Sequence, residues 1–456
     1  MKTKILFPLV AALTFSSCHL YRSYERPELN LSDSLFRQPV TVDDTTSLAT
    51  LSWQELFTDS LLQQLITTGL KSNTDLNIAR LKVVEAEALL LSSKLSFAPT
   101  LSLNPQGTVS KVEHHSANSS YNLAVSSNWE MDIFGKQLNS KRGAEVSLQQ
   151  SEAFRQAVQT QLVATIANNY YALLMLDQQI DIARRTAQSW KESERVMKGL
   201  TKVGQATQIS VAQTEANRLA VEASMVSLER QINEMENSLA TLVGQPAQHI
   251  PRTALSEQLF PDTLTTGVPL QMLSNRPDIR QHELELAKTF YSTQTARTAF
   301  YPSLTLGGNA GWTNAVSGKI LNPGQWLLSA FGSIFQPLFN KGTNIANLKI
   351  AKARQEAALL TFQQSLLDAG EEVNNALVQW QSARQRIRLN EQQIRALQSA
   401  LHDTRLMMRY SSSNYLAVLT AQQALLKAEL DAVGDKFNEI QGVINLYHAL
   451  GGGYTI

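Results

Sequence analysis

Cysteine is almost absent from this 456-residue chain, with Cys18 the single example. That excludes an intramolecular disulfide and any cysteine-based metal cluster. Net charge is equally scarce, because 40 Lys and Arg set against 39 Asp and Glu leave +1; nothing in that balance favours nucleic acid or an acidic partner. The seven histidines are scattered. No glycine-rich phosphate loop or metal-spaced cluster occurs, so no catalytic site, metal or cofactor is expected and the chain does not read as an enzyme. Beyond the N-terminus no stretch reaches the about 20 apolar residues of a membrane-spanning helix. A mean hydropathy of −0.17 still permits a membrane barrel, whose strands carry a much weaker signal than spanning helices do.

Proline is missing from two long blocks, one between Pro105 and Pro246 and one after Pro337. Proline inside a helix costs about 3 kcal/mol, so these blocks are where long helices are free to run. In the first, Phe154, Val158, Leu162, Ile166 and Tyr170 recur every fourth residue, with Leu173 three further on; in the second, Leu366, Ala369, Val373, Ala376, Leu377 and Trp380 form a similar stripe. As one helix, Asn139 to Leu200 would be about 90 Å long, beyond the diameter of any compact domain.

The order of signals occurs twice. "AEALLLSSKLSFAPTLSL" runs from helix through Pro99 into alternation, and "LAKTFYSTQTARTAFYPSLTL" does so through Pro302, 203 positions later (302 − 99). "DIFGK" near Phe134 returns as "PLFNKG" near Phe339, each followed by a long helix, a break and a second long helix. The chain therefore divides into a signal peptide (1–17), an N-terminal extension (18–55), a first repeat (56–250), a linker (251–267), a second repeat (268–451) and a tail (452–456). Strands are expected near 100–112, 120–134, 303–315 and 325–339, and long helices near 139–201, 208–243, 343–410 and 415–449. "ALGGGYTI" at the end lacks any downstream unit and reads as a helix C-cap rather than a nucleotide loop.

Export is written into the N-terminus. Lys2 and Lys4 precede the apolar run Ile5 to Phe15, then Ser16, Ser17 and Cys18, which is a secretory signal rather than an anchor helix. The apolar-small-small-Cys pattern resembles a bacterial lipobox and makes Cys18 the candidate for lipid attachment, with Phe15 standing where leucine is usual.

The four candidate strands have two faces. Leu101, Leu103 and Val109 alternate with Ser102, Asn104, Gln106 and Thr108; Tyr121, Leu123, Val125, Trp129 and Met131 alternate with polar residues; Leu304, Leu306, Gly308, Ala310 and Trp312 share one edge. "QWLLSAFGSIFQPLF" is less regular, with Phe331 and Phe335 on one side and apolar residues on the other. Length near 10 residues, aromatics near the ends (Trp129, Phe134, Trp312, Trp326) and short polar connections favour lipid on the apolar face. His114 and His115 lie in one such connection and read as loop residues. Four strands cannot close a barrel, and an open edge in hydrocarbon leaves backbone groups unpaired at several kcal/mol each. Several chains must then share one barrel: two would give 8 strands and a filled interior, three would give 12 and a lumen.

"NRPDI" at Asn275 to Ile279, "AFYPSLTLGG" at Ala299 to Gly308, "PLFNKG" and "EEVNNAL" at Glu371 to Leu377, in that order across nearly the whole mature chain, resemble the signature segments of the TolC-like outer-membrane efflux factors, in particular the NodT or OprM-like lipoprotein branch. The resemblance implies a mainly α protein with a transmembrane β portion. It implies a homotrimer whose four strands per chain make a 12-stranded outer-membrane barrel above a periplasmic helical tunnel of about 100 Å. It also implies a passive conduit, docked at its helical tips to a periplasmic adaptor and an inner-membrane RND-type pump. Pro99 and Pro302 would be helix-to-strand hinges.

The same resemblance puts the periplasmic gate and docking tips at Lys202 to Val211 and Arg409 to Val418, with Gly204, Thr207, Ser210, Arg409, Tyr410, Ser413, Asn414, Tyr415, Ala417 and Thr420 as the site residues. Tyr410 falls where a gate tyrosine is found, and Glu215 and Gln422 match positions that follow. The second tip is about two residues short, and the acidic ring aligns with Ala417 and Thr420, which implies weak cation preference. Two other functions fit parts of the sequence: the exit duct of a type I protein secretion system, and a structural tether spanning the envelope. A secreted enzyme with helical decoration would need a convergent polar site that the sequence does not display.

Overall fold

Asp132 and Gly135 decide where the longest helix begins. Gly135 takes φ +73°, while the two oxygens of Asp132 accept from the amides of Gln137 (3.0 Å) and Leu138 (2.8 Å), satisfying donors that a helix start leaves open. In the computed structural model, which describes residues 21–27, 51–114, 117–258, 260, 276–313, 325–410 and 415–452, that helix runs unbroken from Lys136 to Lys202, about 100 Å at 1.5 Å per residue.

The elements follow in the order α1 (Trp53–Leu56), α2 (Ser60–Ser72), α3 (Thr74–Leu95), β1 (Thr100–Ser110), β2 (Asn118–Met131), α4 (Lys136–Lys202), α5 (Gln208–Leu242), a 3-10 turn (Leu255–Glu257), α6 (Pro277–Thr298), β3 (Ser303–Thr313), β4 (Gln325–Phe335), α7 (Thr343–Tyr410) and α8 (Tyr415–Ala449). Several bounds differ by a few residues from the sequence expectation, β2 for instance spanning Asn118–Met131 rather than 120–134, and the short α1 was not expected. Helix α1 starts at Trp53, where Ser52 and Glu55 form a capping box. Helix α4 starts three residues before 139 because of the Asp132 cap. Strand β4 stops at Phe335 rather than 339, two residues ahead of Pro337, which has no amide to give a ladder.

Two compact units divide the chain. The first holds residues up to Leu29, Leu81–Ala153 and Arg280–Gln364. Its strands form one antiparallel sheet in the order β1-β2-β3-β4. Segment 21–27 is strapped onto this unit: Tyr21 donates its hydroxyl to Ile133 O, Arg142 donates to Tyr21 O, and Arg26 pairs with Glu283 while lying 5.9 Å over the Phe362 ring. Cys18 and the signal peptide lie outside the described residues.

The second unit holds Asn30–Arg80, Phe154–Ile279 and Ser365–Ile456. Both apolar stripes of the sequence turn inward here: Leu162, Ile166, Tyr170 and Leu173 on α4 and Leu366, Ala369, Val373 and Ala376 on α7 are all buried, whereas Phe154, Val158 and Trp380 are half-buried. The C-terminus of α8 closes as the glycines suggest. Gly451 takes φ +83°, and the amides of Gly451 and Gly452 bond to His448 O and Tyr447 O, a Schellman arrangement.

Candidate functional site

Register assigns a face to every strand residue, because cross-strand partners point the same way. Leu103 opposes Val125, Val125 opposes Ala310, and Ala310 opposes Leu328. At another level Trp129 opposes Leu306 and Leu304 opposes Ile334. This face is apolar across all four strands, and Leu101, Leu103, Val109, Leu328 and Ile334 are strongly exposed on it. The opposite face carries Ser102, Asn104, Ser126, Asn309 and Ser329, tied by amide-to-hydroxyl bonds from Asn104 to Ser126 and from Asn309 to Ser329, both 3.3 Å. The division of β1 read from sequence therefore continues through the sheet.

Phe331 and Phe335 fall on the polar face, since Phe331 opposes Gly307 and Phe335 opposes Ser303. Glu130 is the only charged residue in the four strands and is paired with Lys136 at 2.9 Å.

Aromatic rings mark both ends of the sheet. Trp312 and Trp326 lie 5.1 Å apart at one end; at the other, Trp129 Nε1 donates to Phe97 O at 2.9 Å and Phe134 stacks on Tyr301 at 5.0 Å. Pro99 and Pro302 each occupy the single non-strand position before a strand, just past the helix turns that end α3 and α6. An amide there has no helical or ladder partner, which suits a residue without one.

The hairpin tips belong to the second unit. Gly204 takes φ +76° between α4 and α5. Thr207 caps α5, its side chain accepting from the Ser210 amide at 3.3 Å and lying 3.1 Å from the Ser210 hydroxyl. Arg409 and Tyr410 end α7 and Tyr415 begins α8, but their side chains, with Ser413 and Asn414, lie outside the described residues. Ala417 is half-buried, and Thr420 turns its hydroxyl back onto Leu416 O at 2.9 Å.

What joins the two hairpins is a set of residues that sequence reasoning mostly missed. Arg405 on α7 and Gln422 on α8 both donate to the Ser189 hydroxyl of α4, at 2.9 and 3.1 Å, and Gln423 donates to Asn217 of α5 at 2.9 Å. Beneath them Trp190, Met197, Val211, Val221 and Leu419 pack into one apolar cluster. Glu194, bonded by Lys198 and Arg218, holds its carboxyl below the usual range through those hydrogen bonds. No signal in the sequence pairs Ser189 with Arg405, 216 positions away.

Two further polar clusters are buried in this unit. Asp59 caps α2 and accepts from Tyr170 (2.7 Å), Thr253 (2.5 Å) and Gln258 (3.1 Å); burial opposes its charge, but these bonds outweigh it and lower its pKa. Arg276, only 3% exposed, bonds Asp278, Glu372 and Ala449 O. Burial also opposes the charge on Asp278, and Arg276 more than compensates, so that carboxyl too sits below its ordinary range.

His448, beside this cluster, is shifted the other way in charge terms: burial, then the Arg276 charge, lowers its pKa and keeps it neutral. The unfolded chain thus takes up the proton more readily. Stability is complete above the ordinary histidine pKa of 6.5 and falls as pH drops through it. We expect a lower thermal midpoint at pH 5.5 than at pH 7.5, with the difference reduced in His448→Gln.

A family model described as outer membrane efflux protein matches residues 65–245 and 268–452, one match per repeat. The chain is 26% identical over 455 residues to the cation efflux system protein CusC of Escherichia coli K12, covering 98% of this chain and 99% of that one. It is 28% identical over 472 residues to the toluene efflux pump outer membrane protein TtgC of Pseudomonas putida, covering 99% and 96%. Among solved structures it is similar to the open-state MtrE outer membrane channel of Neisseria gonorrhoeae, at 28% identity and TM-score 0.86 over 95% of this chain and 98% of that one.

Proposed function

From the premise that the chain belongs to the outer membrane efflux protein family, and so is an outer-membrane efflux channel, we propose that three copies join edge to edge into a 12-stranded barrel. The observation that carries this is the sheet itself: one face apolar, the other polar, with β1 and β4 as its two open edges. Neither edge is tolerable in hydrocarbon, and a closed ring of copies removes both. The polar face then lines a wet lumen and the apolar face meets lipid. Residues 1–17 act as the export signal and Cys18 carries the lipid; Tyr21, three residues on, is strapped beside the end of β2.

The two hairpin tips, Lys202 to Val211 and Arg409 to Val418, form the periplasmic gate and the docking surface for an adaptor, through which an inner-membrane pump delivers cargo. Gly204, Thr207 and Ser210 shape the first tip, and Arg409, Tyr410, Ser413, Asn414 and Tyr415 the second. The gate is held shut by the bonds of Arg405 and Gln422 to Ser189 and by Tyr410. With Ala417 and Thr420 in place of acidic residues, its cation preference is weak. Cargo is not set by family membership alone, since one relative is named for cations and another for toluene.

Reconstitution tests this reading. Cross-linked protein in lipid should run as a trimer, and wild type should give small, rarely open currents in planar bilayers. Removing both bonds to Ser189, in Arg405→Ala with Gln422→Ala, should raise mean conductance about thirtyfold, since two bonds of about 1 kcal/mol each favour the closed state by about 2 kcal/mol per chain. A monomer in lipid, or unchanged current in the double variant, counts against the barrel and against the gate respectively.

A further inference from the structure

The polar face of the sheet is not uniformly polar. Thr, Ser, Asn and Gln occupy it on β1, and β2 and β3 add small residues, but β4 places three large apolar side chains there: Leu327, Phe331 and Phe335. They recur every fourth residue with Ser329 and Ser333 between them, so they form one line along the strand, about 13 Å from one to the next at 3.3 Å per residue. Phe331 is 51% exposed and Phe335 66% exposed, so neither is consumed by packing within the chain.

Phe331 is also seated. A methyl group at Gly307 would lie 2.3 Å from Cζ of the ring, so the ring lies over the neighbouring strand at a place where no side chain stands in its way. That is glycine shielded by an aromatic across a strand pair. The ring is therefore held along the wall, with one face on β3 and the other turned away from it. Around it the wall offers hydroxyls, amides and no charge but Glu130, which Lys136 already neutralises. A small ion passing this surface finds no counter-charge, whereas a solute with an apolar or planar aromatic part finds an unsatisfied apolar surface of matching kind.

Resting on the barrel reading above, we propose that Leu327, Phe331 and Phe335 form a contact strip in the lumen for the apolar part of organic, amphipathic cargo in transit, with Phe331 on Gly307 as its fixed centre. The strip lowers the free energy of such cargo inside an otherwise polar wall. It discriminates by cargo chemistry rather than by charge.

The experiment uses the whole lipid-anchored protein in intact cells, where cysteines introduced into the strands are reached from outside whatever the state of the periplasmic gate. Wild type gives the background, because its only cysteine is Cys18. Ser333→Cys, between the two phenylalanines on the polar face, should react with a charged, membrane-impermeant maleimide, and Ile334→Cys on the apolar face should not. Benzyltrimethylammonium should slow Ser333→Cys labelling several-fold, while tetramethylammonium, of equal charge, should not; the protection should be lost in Ser333→Cys with Phe331→Ala. Equal labelling of positions 333 and 334 would overturn the barrel orientation. Labelling confined to 333 with equal effects of the two cations, or protection that survives Phe331→Ala, would overturn the strip alone. If Phe331 instead packs under a second copy of the chain, Ser333→Cys will resist the reagent until Phe331 is truncated, which also defeats the proposal.

Discussion

Arg276→Ala is expected to destabilise the second unit by about 1.5–3 kcal/mol, the range for a hydrogen bond to a charged group, because the guanidinium is buried while its two carboxylate partners are half exposed. The side chain is 3% exposed and answers to three acceptors: the Asp278 carboxylate, Glu372 Oε2 at 2.7 Å and Ala449 O at 3.0 Å. Its loss leaves two carboxylates close together without a cation and an open carbonyl at the end of α8. Lysine cannot reproduce the fork, so Arg276→Lys should recover only part of the loss. Denaturant unfolding of the protein in detergent checks this, with Arg195→Ala as the control: that guanidinium is mostly exposed and pairs with Glu192 on its own helix, so its removal should barely move the unfolding midpoint. Equal effects of the two variants would mean that Arg276 is not the tie between α6, α7 and α8.

Leu103→Arg should cost about 2–4 kcal/mol in lipid, the range for arginine near the midplane on the outer face of a membrane barrel. Leu103 is central in β1 and its apolar face continues through Val125 and Ala310 to Leu328. Asn104→Arg, one residue along and on the other face, should fall within about 1 kcal/mol of wild type because the side chain stays in water. The pair of measurements, made by refolding into bilayers, turns on orientation alone. A larger penalty at Asn104 than at Leu103 would place the serine-rich face toward lipid and remove the lumen.

Much of this protein is legible in its sequence, and the reason is local periodicity. Ile166, Tyr170 and Leu173 are buried because a helix repeats every 3.6 residues, and Leu101 and Leu103 share a face because a strand repeats every two. Positive-φ glycines at 204 and 451 announced turns in the same way. What stayed hidden depends on partners far away in sequence. Nothing near Phe331 says that it lies over Gly307, since that follows from the β3–β4 register. Arg276 reaches Ala449 across 173 positions and Arg405 reaches Ser189 across 216. Arg26 meets Glu283 through an extension that carries no periodicity at all. Tyr410 and Asn414 follow from resemblance alone, and the bonds described near the tips are those of Arg405, Gln422 and Gln423.

The order β1-β2-β3-β4 also fixes how the chain can assemble. β1–β2 and β3–β4 are local hairpins, closed by short connections and quick to form. The β2–β3 pairing is different: Met131 meets Leu304 only after α4, α5 and α6 have been laid down between them. Joining such distant segments carries the loop-closure entropy of everything between, unless those helices have already folded and brought the ends together. The central seam of the sheet is therefore the ladder with the largest closure cost of the three. A complete sheet thus draws on helices α4, α5 and α6, which contribute no residue to any of its strands.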